Sequence, residues 1–331
     1  MKLRIFRQFL GAIAGVILMS CTTAPVAEDY PSRPIRLLVP FAPGGGTDVV
    51  TRIVGQRLSE SWAKAVVIDN RPGAAGIAAF EIVARAPADG YTLATTSTSQ
   101  AIFPSLYPKL PYDPVKDFAP VALMTRLQGI VVSGPSFPPN SVKELIAYAR
   151  TRPGEVNFAS TGTGGIGHLT LELIKKMAGI SMTHVPYKGS APAYNDLMSG
   201  QVQLLSNNII STMPLIRSGK LKPLAVTGAA RSAIAPSVPT VAESGLPGFE
   251  GSSWFGIVAP ARTPKAVVDK LNREIVRIVQ TADVRERLQA QGAEVAEDYS
   301  PDAFGRMLQM ERDKWADVIK SVGIKLEGLP Q

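Results

Sequence analysis

Two glycine-rich turns, each between a strand-like apolar run and an amphipathic segment, are the residues of this sequence best suited to chemistry. The first turn, Gly44, Gly45 and Gly46, follows the apolar run 35–39 and precedes a segment of helical period over 49–58. Glycine has no Cβ, so its backbone N–H group can approach a ligand closely. Because a helix start also offers unpaired N–H groups and partial positive charge, the pattern predicts an anion site made of backbone. A tight β-to-α turn without a ligand is the alternative.

The second turn repeats this arrangement more than a hundred residues later. A short strand ending at Ser160 leads into a loop at 161–167, and an amphipathic segment follows over 168–177. The loop residues with ligand-binding character are Gly162, Thr163, Gly164 and Gly165. Two such turns predict two domains that each offer backbone donors to one anionic ligand.

Two side chains next to the turns have more than one interpretation. Asp48 is either a negative charge stabilised by the start of a helix or a group that orients the glycine turn. Since a carboxylate facing an anion would repel it, we expect Asp48 to accept hydrogen bonds from backbone N–H groups and to fix its loop. His168 either packs or hydrogen-bonds locally at a helix start, or donates to the ligand loop from behind it.

The spacing Gly162-x-Gly164-x-x-Gly167 also matches the dinucleotide fingerprint, which would make the chain an oxidoreductase. That fingerprint needs an acidic residue about twenty positions on, and the stretch 182–188 contains none. The sequence has no Walker loop, no Gly-x-Ser-x-Gly elbow, and only two histidines, His168 and His184, without metal-ligand spacing. We therefore expect binding without chemistry: no catalytic residue, no metal and no cofactor.

Composition and charge narrow the class of protein. A chain of 331 residues with 45% hydrophobic and 19% charged residues can fold as two ordinary domains. The net charge of +8 falls to +5 without Lys2, Arg4 and Arg7, and the remaining basic residues are scattered. No helix-turn-helix, zinc-finger or aromatic–basic pattern is present, so we expect no nucleic-acid partner.

The N-terminus has the pattern of an export signal. A basic start precedes an apolar run over 9–19 that is too short to cross a bilayer easily, and small residues follow it. The single cysteine, Cys21, lies where a bacterial lipobox would place the lipidated residue, and the alternative is cleavage near 22–24 with Cys21 discarded. We predict a signal peptide over 1–27, and an exported, periplasmic protein that is lipid-anchored if Cys21 is retained.

Strand-like and helix-like segments alternate after this leader, which predicts an α/β fold with mostly parallel sheets. We expect two interleaved domains, residues 28–126 plus 255–331 and residues 127–254, joined by strands that cross near Val121–Arg126 and Ser253–Val258. Residues 103–120 have the composition of a proline-rich connection. The C-terminal part is predicted to form two helices, over 264–280 and 301–322.

The sequence resembles the periplasmic solute-binding proteins of the tripartite tricarboxylate transporter family, the Bug (Bordetella uptake gene) receptors. The resemblance covers nearly everything after the leader and depends on several motifs together. They are Tyr30-Pro31-x-Arg33-Pro34-Ile35, Pro40-Phe41-x-Pro43-Gly44-Gly45-x-x-Asp48, Asn70-Arg71-Pro72-Gly73-Ala74-x-Gly76, Ala88-Asp89-Gly90-Tyr91-Thr92-Leu93, Gly167-His168-Leu169, His184-Val185-Pro186-Tyr187-Lys188-Gly189, Gly200-Gln201-Val202, Pro239-Thr240-Val241-x-Glu243-Ser244-Gly245 and Trp254-Phe255-Gly256.

This resemblance implies a two-domain Venus-flytrap fold of the periplasmic-binding-protein type, with two strand crossings. It implies a small organic carboxylate held between the loops 44–48 and 160–168, and delivery of that ligand to membrane permease subunits by a monomeric receptor. The ligand-binding residues that it implies are Phe41, Pro43, Gly44, Gly45, Gly46, Asp48, Ser97, Ser160, Gly162, Thr163, Gly164, Gly165, His168 and Asn207. A ligand sensor of the same fold, signalling to a membrane partner, is the alternative function.

The sequence departs from the family pattern at two places. Gly165 stands where many relatives carry serine or threonine, so one hydroxyl donor is absent. Ser206-Asn207-Asn208 stands where relatives often read Phe-Asp-Asn, so a carboxylate is absent. We therefore expect a ligand without a free amine, with Asn207 in contact with it; the alternative is that Asn207 only caps the following helix.

Overall fold

The computed structural model describes residues 30–41, 43–72, 76–107, 109–187, 189–290, 292–295 and 300–324. The predicted leader, with Cys21, lies outside these residues. Within them the strands are β1 (Ile35–Val39), β2 (Val66–Asn70), β3 (Thr92–Ser97), β4 (Phe118–Leu127), β5 (Gly129–Ser133), β6 (Asn157–Ser160), β7 (Thr183–Pro186), β8 (Leu204–Asn208), β9 (Lys222–Val226), β10 (Ser253–Pro260) and β11 (Ala293–Val295). The helices are α1 (Gly46–Trp62), α2 (Ile77–Ala84), α3 (Thr98–Leu106), α4 (Val142–Arg150), α5 (Ile166–Ala178), α6 (Ser190–Ser199), α7 (Ile209–Arg217), α8 (Lys265–Gln280), α9 (Ala282–Ala290) and α10 (Pro301–Val322).

The strands form two sheets. A six-stranded sheet has the order β11-β4-β10-β3-β1-β2, and a five-stranded sheet has the order β7-β6-β8-β5-β9. The first sheet takes its strands from both ends of the described chain, and the second takes all of its strands from the middle. This is the interleaved α/β architecture that the alternation of segments predicts.

The expectation of mostly parallel sheets is wrong. In the described residues β1 is parallel to β2 and β3, and β6 is parallel to β7 and β8, but β10 runs antiparallel to both β3 and β4. β4 also pairs antiparallel with β11, and β5 pairs antiparallel with β8 and β9. Strands linked by helices within one sheet run in the same direction, whereas β5 and β10, which enter from the other sheet, run the opposite way.

The two crossings lie just beyond the strands that were expected to make them. β4 and β10 stay in the six-stranded sheet over their full length, and Ser253 pairs with Leu127 at their ends. The chain passes to the second sheet at Gln128 and returns between β9 and β10. Gly129 N donates to Thr227 Oγ1 at 2.9 Å, so the two passages lie side by side.

Local sequence explains where several helices begin. Ser141 caps α4, with its side chain accepting from Glu144 N, while the Glu144 carboxylate accepts from Asn140 N at 2.9 Å. Ser300 caps α10 and Pro301 occupies its first position, where a missing N–H group is harmless. The predicted helix over 301–322 is confirmed at both ends.

Two helices were not predicted. α3 extends into the stretch 103–120 that was expected to be a proline-rich connection, and it contains Pro104. α9 follows α8 after a single residue, Thr281, so the C-terminal part holds three helices among the described residues rather than two.

The core is continuous across the two sheets. One apolar cluster contains Val131 and Phe158 from the second sheet together with Trp254 and Phe304, which are buried on the first. α10 packs against β4 and α3 and also against α5. The cleft between the sheets is therefore closed at its back by the crossings and by this shared core.

Candidate functional site

Both glycine turns build the start of a helix in the same way. α1 is capped by Gly45 with φ −75° and ψ 164°, and α5 is capped by Gly165 with φ −70° and ψ 160°. Neither cap has a side-chain hydrogen bond. The left-handed residue of each turn is the glycine before the cap, Gly44 with φ +85° and Gly164 with φ +78°. Each helix thus begins with backbone N–H groups that have no partner within the helix and with a partial positive charge.

A side chain four residues further on holds each turn in place. Gly44 N donates to Asp48 Oδ2 at 2.9 Å, and Gly164 N donates to His168 Nδ1 at 3.0 Å. Both acceptors are buried, at 2% and 3% exposed. The expectation that Asp48 accepts from the backbone and fixes its loop is confirmed. His168 hydrogen-bonds locally to the second turn, as an acceptor and not as a donor.

The Asp48 carboxylate is fully occupied by donors from the protein. Arg52 Nε reaches both of its oxygens, at 2.9 and 3.0 Å, and Asn70 Nδ2 donates to Oδ1 at 2.9 Å. Burial alone would raise the pKa of Asp48, but the hydrogen bonds from Arg52, Gly44 and Asn70 outweigh burial and hold the pKa below its usual value. The carboxylate is therefore ionised, and its charge is balanced within the loop.

His168 belongs to a stack of rings beneath the second turn. Its ring lies 3.7 Å from that of His184 at an interplanar angle of 16°, and Phe158 stacks on His184 at 5.1 Å. Ser160 Oγ accepts from Gly162 N at 3.3 Å and lies 2.7 Å from His184 Nε2. Burial, with the neighbouring His168, lowers the pKa of His184 to about 4, so both the stack and the loop above it are built around a neutral His184.

A cavity of about 370 Å³ lies between the two helix starts. We call it the apolar chamber, because most of its wall is hydrocarbon: Phe41, Ile102, Phe103, Leu106, Tyr107, Ile166 and Phe255. Its remaining lining residues are Thr47, Ser97, Thr98, Ser99, Thr163, Gly164, Gly165 and Ser253. Burial raises the pKa of Tyr107, so its phenol stays protonated.

A second cavity of about 250 Å³ adjoins the first and shares Thr47, Ile166, Ser253 and Phe255 with it. We call it the polar chamber, because most of its lining residues are glycines or carry a hydroxyl or amide group. Its other lining residues are Gly46, Leu127, Gln128, Gly129, Thr161, Gly167, Thr170, Ser206, Asn207, Asn208 and Gly251. Thr47 of α1 and Ile166 of α5 thus place both helix starts where the two chambers meet.

The predicted site residues divide between the chamber walls and the structure behind them. Phe41, Ser97, Thr163, Gly164 and Gly165 line the apolar chamber, and Gly46 and Asn207 line the polar chamber. Pro43, Gly44, Gly45, Asp48, Ser160, Gly162 and His168 line neither. Contact of any of these residues with a ligand stays a prediction.

Asn207 uses its side-chain amide within the protein. Its Nδ2 donates to Ser190 Oγ and Tyr194 Oη, both at 3.0 Å, and its Oδ1 accepts from Asn208 N at 2.9 Å. The alternative that Asn207 caps the following helix is wrong by one position, because Asn208 is the cap of α7 and its Oδ1 accepts from Ile210 N at 2.8 Å.

The apolar wall contributed by α3 was not predicted. Ile102, Phe103 and Leu106 fall at helical spacing, but the prolines around them indicated a connection. Phe255 was named only within the motif Trp254-Phe255-Gly256. Thr47 was one of the two unspecified positions between Gly45 and Asp48. The spacing of the apolar residues Ile102, Phe103 and Leu106 was the feature of the sequence that could have predicted this helix face.

The charges around the chambers are arranged so that none of them faces inward. Among the described residues, every side chain that lines either chamber is uncharged. In the same part of the chain no group of three or more His, Cys, Asp or Glu residues is placed to hold a metal ion. No helix that the structure describes is both long enough and apolar enough to cross a membrane. The cleft can hold an anion through backbone N–H groups, hydroxyl groups and two helix dipoles.

Two sheets joined by paired crossings, with helix starts facing a common cleft, define the periplasmic-binding-protein fold. The chain belongs to the tripartite tricarboxylate transporter family of receptors, since the model of that family matches residues 50–324. It is 38% identical to the protein BugT of Bordetella pertussis over 320 residues, which are 96% of this chain and 98% of BugT.

Two solved structures from Rhodopseudomonas palustris show the same fold. Rpa4515, described with adipate, is 40% identical, with a TM-score of 0.75, and the match covers 90% of this chain and all of that one (100%). MatC, described with bound malate, is 34% identical, with a TM-score of 0.71 and coverage of 88% and 100%. The predicted family and fold are confirmed.

Proposed function

We propose that this protein is an extracytoplasmic receptor that binds a small carboxylate between its two sheets and releases it chemically unchanged. The observation that carries the proposal is the pair of helix starts, α1 and α5, whose first residues line one cleft with uncharged walls. A carboxylate there would accept hydrogen bonds from N–H and hydroxyl groups, and both helix dipoles would favour its charge. Adipate and malate, named with two relatives, are carboxylates of this kind.

The proposed site residues have two roles. Residues on the chamber walls, such as Gly46, Thr163 and Gly165, would contact the ligand. Asp48 and His168 would act by holding the turns from behind, since each already accepts from a glycine N–H group. The division into domains 28–126 plus 255–331 and 127–254 is part of this proposal, with the cleft between them.

Delivery to membrane permease subunits is the proposed fate of the ligand. It is supported by the transporter family to which the chain belongs and by the leader pattern, which indicates export. Signalling to a membrane partner is the alternative use of the same site. The family also favours a receptor over the dinucleotide-binding oxidoreductase that the spacing of Gly162, Gly164 and Gly167 allows.

The ligand is proposed to lack a free amine. An ammonium group held in a closed cleft needs an anionic partner, because a buried unpaired charge is strongly unfavourable. No carboxylate lines either chamber in the described part of the chain. Succinate and aspartate form a matched pair for calorimetry, and tighter binding of aspartate would show that an acidic side chain reaches the ligand.

Calorimetry and thermal unfolding of the purified protein against a panel of carboxylates test the proposed function. A carboxylate at a hundredfold over its Kd adds about 2.7 kcal/mol to the free energy of unfolding. For domains of this size that raises the melting temperature by about 5–10 °C. No shift with any carboxylate at millimolar concentration would contradict the proposal, and loss of carboxylate uptake on gene deletion would separate transport from sensing.

A further inference from the structure

The apolar chamber has a wall that a small hydroxy acid would not use. Ser99, Ile102, Phe103 and Leu106 recur at the spacing of a single helix face, so α3 turns its hydrophobic side toward a cavity. Ile102, Phe103 and Leu106 are only 2%, 7% and 3% exposed, although they line about 370 Å³ of space. That volume lies within the range of natural ligand sites.

The second glycine turn closes this chamber from the opposite side. A Cβ added at Gly164 would lie 2.7 Å from Leu106 Cδ1, so the turn already packs on the end of α3. Phe255, which is 9% exposed, lines the chamber from the strand β10. A group held here would be covered by hydrocarbon from both sheets.

One end of the apolar chamber adjoins the polar chamber. Thr47 and Ser253 lie at the junction with the polar chamber, as does Ile166 at the start of α5. A carboxylate at this junction would meet both helix starts, and whatever is attached to it would extend along α3. Since the described lining of the apolar chamber has no charged side chain, a second charge carried into it would be desolvated without a partner.

We propose that the ligand is a carboxylate with a contiguous uncharged hydrocarbon body, a ring or a chain, and that this body occupies the apolar chamber beside α3. Short dicarboxylates and hydroxy acids are then weaker ligands, because they leave the apolar wall in contact with water. This proposal rests on the proposed function and narrows its ligand class.

Calorimetry with 3-phenylpropionate and hexanoate against succinate and malate tests the ligand class. We expect the first pair to bind at least about tenfold more tightly, because each buried methylene group favours binding. Tighter binding of succinate or malate would overturn this inference and leave the proposed function intact. Failure of all four to bind would overturn this inference, whereas the proposed function fails only if the whole carboxylate panel also fails to bind.

A pair of variants tests the position of the hydrocarbon body. Ile102→Thr places a hydroxyl group on the α3 wall and should weaken binding of 3-phenylpropionate about tenfold. Ile146→Thr makes the same change in α4, which lines neither chamber, and controls for lost stability. Equal losses in Ile102→Thr and Ile146→Thr would place the body elsewhere.

Discussion

At the scale of single residues, two chemically different side chains hold the two glycine turns in the same way. Asp48 and His168 each lie two residues inside a helix and accept from the glycine N–H group four positions earlier. A carboxylate and an imidazole nitrogen are both acceptors, so either can hold the left-handed glycine in place.

Asp48→Asn should destabilise the protein by about 2–3 kcal/mol, because one of the two oxygens that accept charge-assisted hydrogen bonds becomes a donor. The replaced atom would face Gly44 N, Arg52 or Asn70, all of which donate. Urea unfolding measures the loss. Asp269→Asn is the matched control, since Asp269 also pairs with a cation four residues away, Lys265 at 2.8 Å, but on the surface. Equal losses in both variants would contradict the role given to Asp48.

His184 predicts a pH dependence of stability above the range where carboxylates titrate. Its pKa is about 4 in the folded protein against 6.5 in an unfolded chain, so the unfolded chain binds more protons between these values. Stability is therefore complete above pH 6.5 and falls as the pH drops toward 4. The charged or titratable groups around it are His168, Glu172 and Lys175, and Glu172 has a pKa below its usual value because hydrogen bonds from His168 and Lys175 outweigh its burial.

Thermal unfolding between pH 7.5 and pH 4.5 measures this dependence. His184→Asn keeps a polar side chain beside Ser160 and removes the titration, so its melting temperature should fall less over the same range. A wild-type melting temperature that stays constant from pH 6.5 to pH 4.5 would contradict the neutral state of His184.

At the scale of elements, the sequence predicts the turns and helices that depend only on neighbouring residues. The glycine turns and the long amphipathic helices α8 and α10 follow from residue type and spacing, and the structure confirms them. α3 could not be predicted in the same way, because Pro104 and the hydroxyl residues before it disfavour a helix locally. Packing of α3 against α10 outweighs that preference, and this contact joins residues far apart in the chain.

Gly164→Ala tests the contact between the second turn and α3. Gly164 needs a left-handed backbone, and its added Cβ would press on Leu106, so we expect a loss of about 2–4 kcal/mol and weaker ligand binding. Gly179→Ala is the control, because Gly179 has φ +60° and no atom within 4 Å of the added Cβ. Gly179→Ala should lower the free energy of unfolding only by the backbone strain, about 1 kcal/mol. Equal stability and affinity in the two variants would show that the contact with Leu106 has no effect.

At the scale of the whole molecule, strand direction depends on how the two sheets are connected. The antiparallel position of β10 between β3 and β4 follows from its entry through the second crossing, and no residue pattern within β10 carries that information. Gln128 ties the crossings together, since its Nε2 donates to Ala230 O at 3.1 Å and to Glu294 Oε1 at 2.9 Å. The buried amide of Gln128 therefore links the two crossings to β11.

The absence of charged side chains from the described chamber walls predicts how carboxylate binding responds to salt. A ligand held by N–H groups, hydroxyl groups and helix dipoles inside a cleft is poorly screened, because salt acts mainly on exposed charges. The net charge of +5 without the leader is scattered and adds only weak attraction at a distance. Raising NaCl from about 20 mM to about 500 mM should therefore change the Kd less than about threefold.

Thr163→Lys provides the contrast within the same protein. Thr163 is exposed and lines the apolar chamber beside the start of α5, so a lysine there would bring an ammonium group to the ligand from the solvent side. Its attraction to a carboxylate would be screened, and the Kd of the variant should rise by about tenfold or more over the same range of salt. A steep salt dependence in the wild-type protein would instead show that a cationic side chain already contacts the anion, and the neutral site described above would be wrong.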